Sequence, residues 1–478
     1  MVQQAVILAA GNGTRIQRSE DDVPKPLRSV CGLTLIKRAI LNLKLAGIQE
    51  VIVVVGYKGD EIVESLQNDR SLGIKLRFVH NPDFQKSNGL SLLAAKPFLK
   101  KDFLFLMADH IFDRRAIEKI VKHPFQQDQC LLGIDRKLNE IFDLEDATKV
   151  KLSGDRIVGI GKEISDYNAY DTGIFRCKPA FVELIDQLYQ NKGDASISEA
   201  VKALATEQKM GSCDISEFFW QDVDTAQALR HAENFLFKQL KKPTDGWISQ
   251  NINRKISLVI TRFLIRTNLS ANHVTGLVTL IGLLSGFFVS KGLYWEVALG
   301  GILFNLSSIL DGCDGEMSKL KLSQSKVGEW LDTIGDNLTY LSFFIGVMVG
   351  AYRQTHSHWI VVESYLVGLG IVLTLGVMFY YLLRYTNSGS LVTVQNDMIN
   401  EDKSEEKKES KSIWTKLSKI KFMMKRDFFA LFFMVLCLFN QLPLILHLAL
   451  IGSNLTWMVV LSYKKEIFKI RPAKVATN

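Results

Sequence analysis

Four aspartates stand at short, regular intervals in "DGCDGEMSKLKLSQSKVGEWLDTIGD" (311–336): Asp311, Asp314, Asp332 and Asp336. The first two are three apart and the last two four apart, so on helices each pair shares one face. Gly312, Gly315 and Gly328 allow close approach of a crossing helix or a ligand. Two such faces meeting would form a cage of carboxylate oxygens suited to a hard divalent cation. The apolar runs "ALGGILFNLSSIL" and "LTYLSFFIGVMVGAY" flank the segment. An ionisable group so close to hydrocarbon is costly unless it is paired or bound. A polar loop with its acids in water would not explain the regular spacing between apolar flanks.

A second constellation lies near the start of the chain. "AVILAAGNGTRI" (5–16) reads as an apolar strand running through Leu8, Ala9 and Ala10 into a glycine turn, Gly11 and Gly13, that ends in Arg15. "VPKPL" follows, with Lys25 before Pro26. Backbone N–H groups of such a loop suit a triphosphate, and a lysine adds a point charge. A dinucleotide-binding loop is the rival. Against it, "VIVVVGYKGDEI" (51–62) ends in Gly-Tyr-Lys, with no acid poised for a ribose. "FLFLMADHIF" (103–112) is a buried strand that ends at Asp109.

The elements that must position these groups divide the chain. Its 478 residues are long enough for more than one domain. Residues 1–240 alternate apolar and charged stretches like a soluble α/β domain, 241–270 form a linker with an interfacial helix, and 271–478 carry long apolar segments. Spans are expected near 273–291, 294–310, 331–351, 359–383, 427–441 and 443–462, six in all. Lys319, Lys321 and Lys326, then Lys403 through Arg426, and the tail lysines fall on alternate connections. The positive-inside rule then puts both termini and both sites in the cytoplasm. "ISLVITRFLIRTNLS" (256–270) suits a helix lying in the interface, with Arg262 and Arg266 four apart. "NDMINEDKSEEKKESKS" (396–412) reads as a charged cytoplasmic loop and 413–426 as a basic interfacial helix. The net charge of +8 therefore belongs to a membrane protein and does not call for nucleic acid. Six scattered cysteines show no disulfide or zinc spacing. No cleavable signal peptide is visible, because the first residues run straight into the strand.

The aspartate segment resembles the CDP-alcohol phosphotransferase signature, D-x2-D-G-x2-A-R-x8-G-x3-D-x3-D, at every aspartate and glycine. Asn272 and Thr275 in "LSANHVT" match that family's P-N-x-x-T, with Ala271 in place of the proline. Ser318-Lys319 replaces Ala-Arg, so the charge is kept and the bidentate fork lost. The resemblance implies that Asp311, Asp314, Asp332 and Asp336 hold divalent metal, Mg²⁺ or alternatively Mn²⁺. It makes Asp336 the base that takes a proton from an attacking alcohol while CMP leaves.

The first half resembles nucleotidyltransferases that join a sugar- or alcohol-phosphate to an NTP, through LAAGxGxR…KP, "NPDFQKSNGLSL" (81–92), "DTGIFRCKP" (171–179) and "FFWQDVDTAQAL" (218–229). That resemblance implies a Rossmann-like mixed sheet, with Mg²⁺ on Asp109 and Asp224, Asp222 being the alternative to the latter. Arg15 and Lys25 would act on the phosphates, and Asn88 would hold nucleotide or substrate. Taken singly, Lys25 could be a surface lysine and Asp224 a helix cap; their order along the chain favours the site. Lys149 and Lys162 are weaker candidates for phosphate contacts.

The fusion, with "KKPTDGWISQNINRKIS" (241–257) between the halves, resembles the bifunctional inositol-1-phosphate cytidylyltransferase / di-myo-inositol-phosphate-phosphate synthase family. CTP, inositol 1-phosphate and CDP-inositol are the small molecules this implies, and dimers through the membrane helices are common among the phosphotransferases. Two other readings stay open. One is a cytidylyltransferase for a different phospho-alcohol fused to a phospholipid-synthesising enzyme, with Arg262, Arg266, Lys319 and Arg384 able to furnish a phosphate pocket. The other is a transporter or sensor that binds nucleotide without turning it over.

Overall fold

The computed structural model describes residues 2–13, 23–125, 128–138, 147–240, 246–385, 389 and 426–470. They form two compact units, Met1–Lys238 and Gln239–Asn478.

The first unit runs β1 (Gln4–Ala9), the hairpin strands β2 (Ser29–Val30) and β3 (Leu33–Thr34), α1 (Leu35–Leu45), β4 (Glu50–Val55), α2 (Gly59–Gln67), β5 (Lys75–His80) and α3 (Gly89–Ala94). It continues β6 (Phe103–Met107), β7 (His110–Phe112), α4 (Arg114–Lys122), β8 (Cys130–Asp135), β9 (Lys149–Ser153), β10 (Arg156–Gly161) and β11 (Ala169–Cys177). Helices α5 (Pro179–Lys192) and α6 (Ile197–Thr206), strands β12 (Met210–Asp214) and β13 (Trp220–Asp222), and α7 (Ala226–Lys238) complete it.

Nine strands form one mixed sheet in the order β5-β4-β1-β6-β11-β8-β12-β10-β9. Its first four strands are parallel, and β11 runs antiparallel to β6. "QAVILA" and "EVIVVV" are almost wholly buried, as strands covered by helices on both faces must be. The chain moves outward from β1 to β4 and β5, then returns to β6 on the other side of β1. The carboxyl ends of β1 and β6 therefore border a crevice where the winding reverses, the usual place for a ligand in such sheets. The glycine turn leaves β1 there, and Asp109 leaves β6.

The second unit is helical. It comprises α8 (Arg254–Leu264), α9 (Ala271–Ser290), α10 (Tyr294–Leu320), α11 (Lys326–Thr355), α12 (His358–Tyr385), α13 (Arg426–Leu438) and α14 (Leu442–Ile470). Four of these, α9 to α12, are long and apolar enough to cross a membrane. The fifth and sixth expected spans fall on shorter apolar stretches among the described residues, Asp427–Leu438 and Leu442–Leu455. The helix of the second expected span runs on past 310, through the signature to Leu320, so Asp311 and Asp314 are helical. Likewise α11 starts at Lys326, where Ser325 caps it by accepting from the Gly328 N–H. The charged connection and basic stretch read at 396–425 lie outside the described residues.

Helix α9 packs between α10 and α11, and small residues permit it. A Cβ on Gly286 would come 2.2 Å from the Ser342 carbonyl oxygen, and one on Gly346 would come 2.3 Å from that of Gly286. Backbone touches backbone here, the arrangement that stabilises helix pairs where no hydrophobic effect operates between them. Around it Phe304 stacks on Phe343 at 3.9 Å, and Phe343 on Phe433 at 6.2 Å. Gly286→Val should therefore cost about 1–3 kcal/mol of overpacking strain, seen as earlier thermal unfolding of the helical unit in detergent. Gly276→Val, at a position with open space on the same helix, should leave that transition nearly in place.

Candidate active sites

In the first unit Lys25 is the centre of the crevice. It sits in a turn between Pro24 and Pro26, whose fixed φ angles hold the backbone, and is only 5% exposed. Gly13, at φ +60°, lies so close that a Cβ there would meet the Lys25 Cβ at 2.9 Å, so glycine is required for the loop to pass over the lysine. Lys25 Nζ donates to Asp109 Oδ2 at 2.6 Å, approaches Asp222 Oδ1 at 3.4 Å and also pairs with Asp224. Leu8, Ala9 and Ala10 are buried beneath, and the Leu8 carbonyl accepts from Ala108 N–H, which ties the two strand ends together.

The acids arrive from two directions. Asp109 follows β6 directly, while β13 pairs with β7 so that Asp222 lies opposite His110. Val223 N–H donates to the Asp109 carbonyl, which brings the 222–224 turn alongside. Asp222 and Asp224 thus both reach Lys25. His110, not singled out from the sequence, places Nδ1 2.7 Å from Asp109 Oδ1 and joins Asp109 and Asp222 in a group with ligand atoms within 4.8 Å of one another. The signal was present in the Asp-His pair after a buried strand. The Asn88 amide oxygen accepts from the Ile197 N–H at the start of α6. Arg15 lies outside the described residues.

Charge explains the titration of these groups. Burial pulls the Lys25 pKa down, but Asp109, Asp222 and Asp224 outweigh it and hold the ammonium well above its ordinary value. Asp109 is resisted by burial yet held far below the carboxylate range by Lys25 and His110. Burial also opposes charge on His110, and Asp222 and Asp109 nevertheless push it up to about 9. Burial raises Asp222. It also pushes Asp171, in the "DTG" turn, up to about 6, offset in part by the Gly173 N–H and His110.

The second site lies on α10 and α11. Carboxylate oxygens of Asp311, Asp332 and Asp336 gather within 4.8 Å of one another. Asp314, 7% exposed, points to α9, where Thr275 Oγ1 donates to its Oδ2 at 2.5 Å. Asn272 stands beside the start of α11, its Oδ1 3.4 Å from where a Gly328 Cβ would be. Both matched positions of "LSANHVT" therefore face the aspartate segment. Ala271 is tolerated in place of proline because Ser270 and His273 cap each other's backbone and start α9 without it. Lys321 Nζ donates to the Leu269 carbonyl at 2.8 Å and closes the connection ahead of α9. Three carboxylates that share one small volume suit a hard divalent cation.

The comparisons agree with this division. Residues 5–137 match the model of the MobA-like NTP transferase domain, and residues 268–462 that of CDP-alcohol phosphatidyltransferase. The fold and the two acid clusters thus define an enzyme that joins a nucleotidyltransferase to a CDP-alcohol phosphotransferase. Over 344 residues the chain is 33% identical to the bifunctional IPC transferase and DIPP synthase of Aquifex aeolicus, spanning 72% of this chain and 76% of that one. The protein of the same name from Rubrobacter xylanophilus is 34% identical over 352 residues, 73% of this chain and 77% of its own. Among solved structures, the inositol-1-phosphate CTP transferase from T. maritima matches with a TM-score of 0.44 at 26% identity, over 48% of this chain and 91% of that one. The chain belongs to the family of bifunctional IPC transferases and DIPP synthases.

Two measurements probe the first site. Lys25→Met leaves three carboxylates facing one another, so it should lower the melting temperature of the first unit by on the order of 5 °C in EDTA, and Mg²⁺ should restore most of it. An acid whose folded pKa is raised costs stability above that pKa and costs nothing below its unfolded value. Asp171→Asn should therefore raise the melting temperature at pH 8, and the gain should fade as the pH drops from about 6 towards 3.8, in scans of the whole chain.

Proposed function

We propose that the first unit converts CTP and inositol 1-phosphate to CDP-inositol and pyrophosphate. The helical unit then transfers phosphoinositol from CDP-inositol to a second inositol 1-phosphate, releasing CMP. The observation that carries this is the presence in one chain of two separate acid clusters, the first matched to making a nucleotide-activated alcohol and the second to consuming one. The relatives' shared name supplies inositol.

In the first reaction a phosphate oxygen of inositol 1-phosphate attacks the α-phosphorus of CTP in line, and the bond to the β-phosphate breaks. Catalysis of this kind rests on positioning and charge neutralisation. The turn at Ala10–Gly13 presents backbone N–H groups to the triphosphate, and Lys25, rigid between its prolines, supplies a fixed positive charge. Its contacts with Asp109, Asp222 and Asp224 support the reading of this acid cluster as a cation site. Arg15 is assigned to the phosphates and Asn88 to the substrate side.

In the second reaction a hydroxyl attacks the phosphorus that bears inositol. Asp336 takes its proton, and CMP departs with the bonding electrons. Asp336 stands within ligand distance of Asp311 and Asp332, beside the cation that the cluster would hold. Divalent cation, Mg²⁺ or in this half Mn²⁺, held by Asp109 with Asp222 and Asp224, and by Asp311, Asp314, Asp332 and Asp336, would neutralise the phosphate charge that develops in each step. Six crossings with both termini and both sites on the cytoplasmic face fit the distribution of positive charge, and a homodimer through the membrane helices is the assembly the family suggests.

Detergent-purified protein should release pyrophosphate and CMP from CTP, Mg²⁺ and inositol 1-phosphate. Asp336→Ala should release pyrophosphate at the normal rate and CMP at least about a hundredfold more slowly. If neither protein yields pyrophosphate, inositol is the wrong alcohol, and choline phosphate and glycerol 3-phosphate become the substrates to try.

A further inference from the structure

Behind the aspartates of α10 lies a buried charge that the proposed reaction does not use. Glu316 is 2% exposed. Its Oε1 accepts from Arg254 Nη1 and Ser257 Oγ, both at 2.7 Å, and its Oε2 accepts from Thr261 Oγ1 at 2.6 Å. All three partners belong to α8 or its first residue and are spaced three and four apart, so they form one stripe. We propose that Glu316 is a positioning residue for the phosphotransferase site: it locks the back of α10 to α8 and so fixes the rotation of Asp311 and Asp314 towards Asp332 and Asp336. The inference rests on the assignment of those aspartates as ligands of a divalent cation.

Helix geometry puts the lock in the right place. At about 3.6 residues per turn, Glu316, five residues after Asp311 and two after Asp314, projects from the opposite side of α10. The grip reaches the backbone beside the first aspartate. A Cβ on Gly312 would lie 3.1 Å from Arg254 Nη1 and 3.4 Å from Ser257 Oγ, and Cys313 Sγ lies 3.6 Å from the Ser257 carbonyl oxygen. In front, Thr275 of α9 holds Asp314. The catalytic turn of α10 is thus held from both sides.

The attachment of α8 depends on this stripe. Three of its apolar residues point the other way: Ile256 is 40%, Val259 68% and Phe263 73% exposed. Arg254, Ser257 and Thr261 meet α10 instead, so polar contacts form much of the seam. A buried ion pair contributes little net stability compared with an apolar pair of the same shape. What it does provide is a unique register, because a carboxylate satisfied by three donors tolerates neither rotation nor sliding.

The test is metal binding. Mn²⁺ would be titrated by electron paramagnetic resonance into the full chain carrying Asp109→Ala and Asp222→Ala, which silences the first site. Adding Asp336→Ala identifies the phosphotransferase signal. Glu316→Gln should raise the half-saturating Mn²⁺ concentration about 10- to 100-fold, the usual effect of losing a group that orients metal ligands. Ser257→Ala/Thr261→Ala, which leaves the ion pair, should raise it less. In the otherwise native chain, Glu316→Gln should need correspondingly more Mg²⁺ to release CMP from CDP-inositol, with kcat recovering at saturating Mg²⁺. A merely structural role would lower the amount of active protein and leave the half-saturating concentration unchanged. Wild-type half-saturation in both variants overturns the proposal; if Glu316→Gln cannot be purified, the double variant decides. Absence of any Mn²⁺ signal sensitive to Asp336→Ala would sink the metal assignment itself, and this inference with it.

Discussion

Carboxylates repel, and both sites of this protein require several of them within ligand distance of one another. Aspartates held a few ångströms apart cannot all stay ionised unless a cation, a donor or a rigid backbone compensates. Much of the architecture is explained by how that repulsion is contained. Each unit solves the problem with the means its surroundings allow.

In the first unit the solution is a buried lysine. Lys25 reaches three acids from a turn stiffened by two prolines, and the sheet delivers Asp109 and the 222–224 turn to it from separate strands. The mixed sheet matters because its winding reverses between β1 and β6, which leaves space for a ligand at those strand ends. The glycine turn and the lysine cluster therefore meet at the one edge where the backbone can open.

In the helical unit a hydroxyl and close helix packing stand beside the aspartates. Close passage of α9 at Gly286 and Gly346 sets the spacing of the bundle, and it is α9 that brings Thr275 to Asp314 and Asn272 to the start of α11. Glu316 is turned away from the site, and its charge is met by Arg254. The same helix turn thus carries one carboxylate face for chemistry and one for attachment, a division that a helix makes possible because its opposite faces are independent surfaces.

The sequence by itself determined the two halves, the apolar character of the second, and the aspartates of both sites. Those are local properties: a strand period, a run of apolar residues, or a spacing of three and four is written in neighbouring positions. It also carried the family, since the signature occupies a single continuous stretch. Span lengths were less legible, because Asp311 and Asp314 read as a break in hydrophobicity while the backbone runs on as helix to Leu320. Only the tertiary structure decided that Asp222 and Asp224 share one lysine, that His110 joins them, that Asn88 binds the start of α6, and that Glu316 faces Arg254 sixty-two residues away. Those contacts depend on strand pairing and helix crossing, which close over long separations in the chain. No local pattern of residues encodes which distant donor a buried carboxylate will meet.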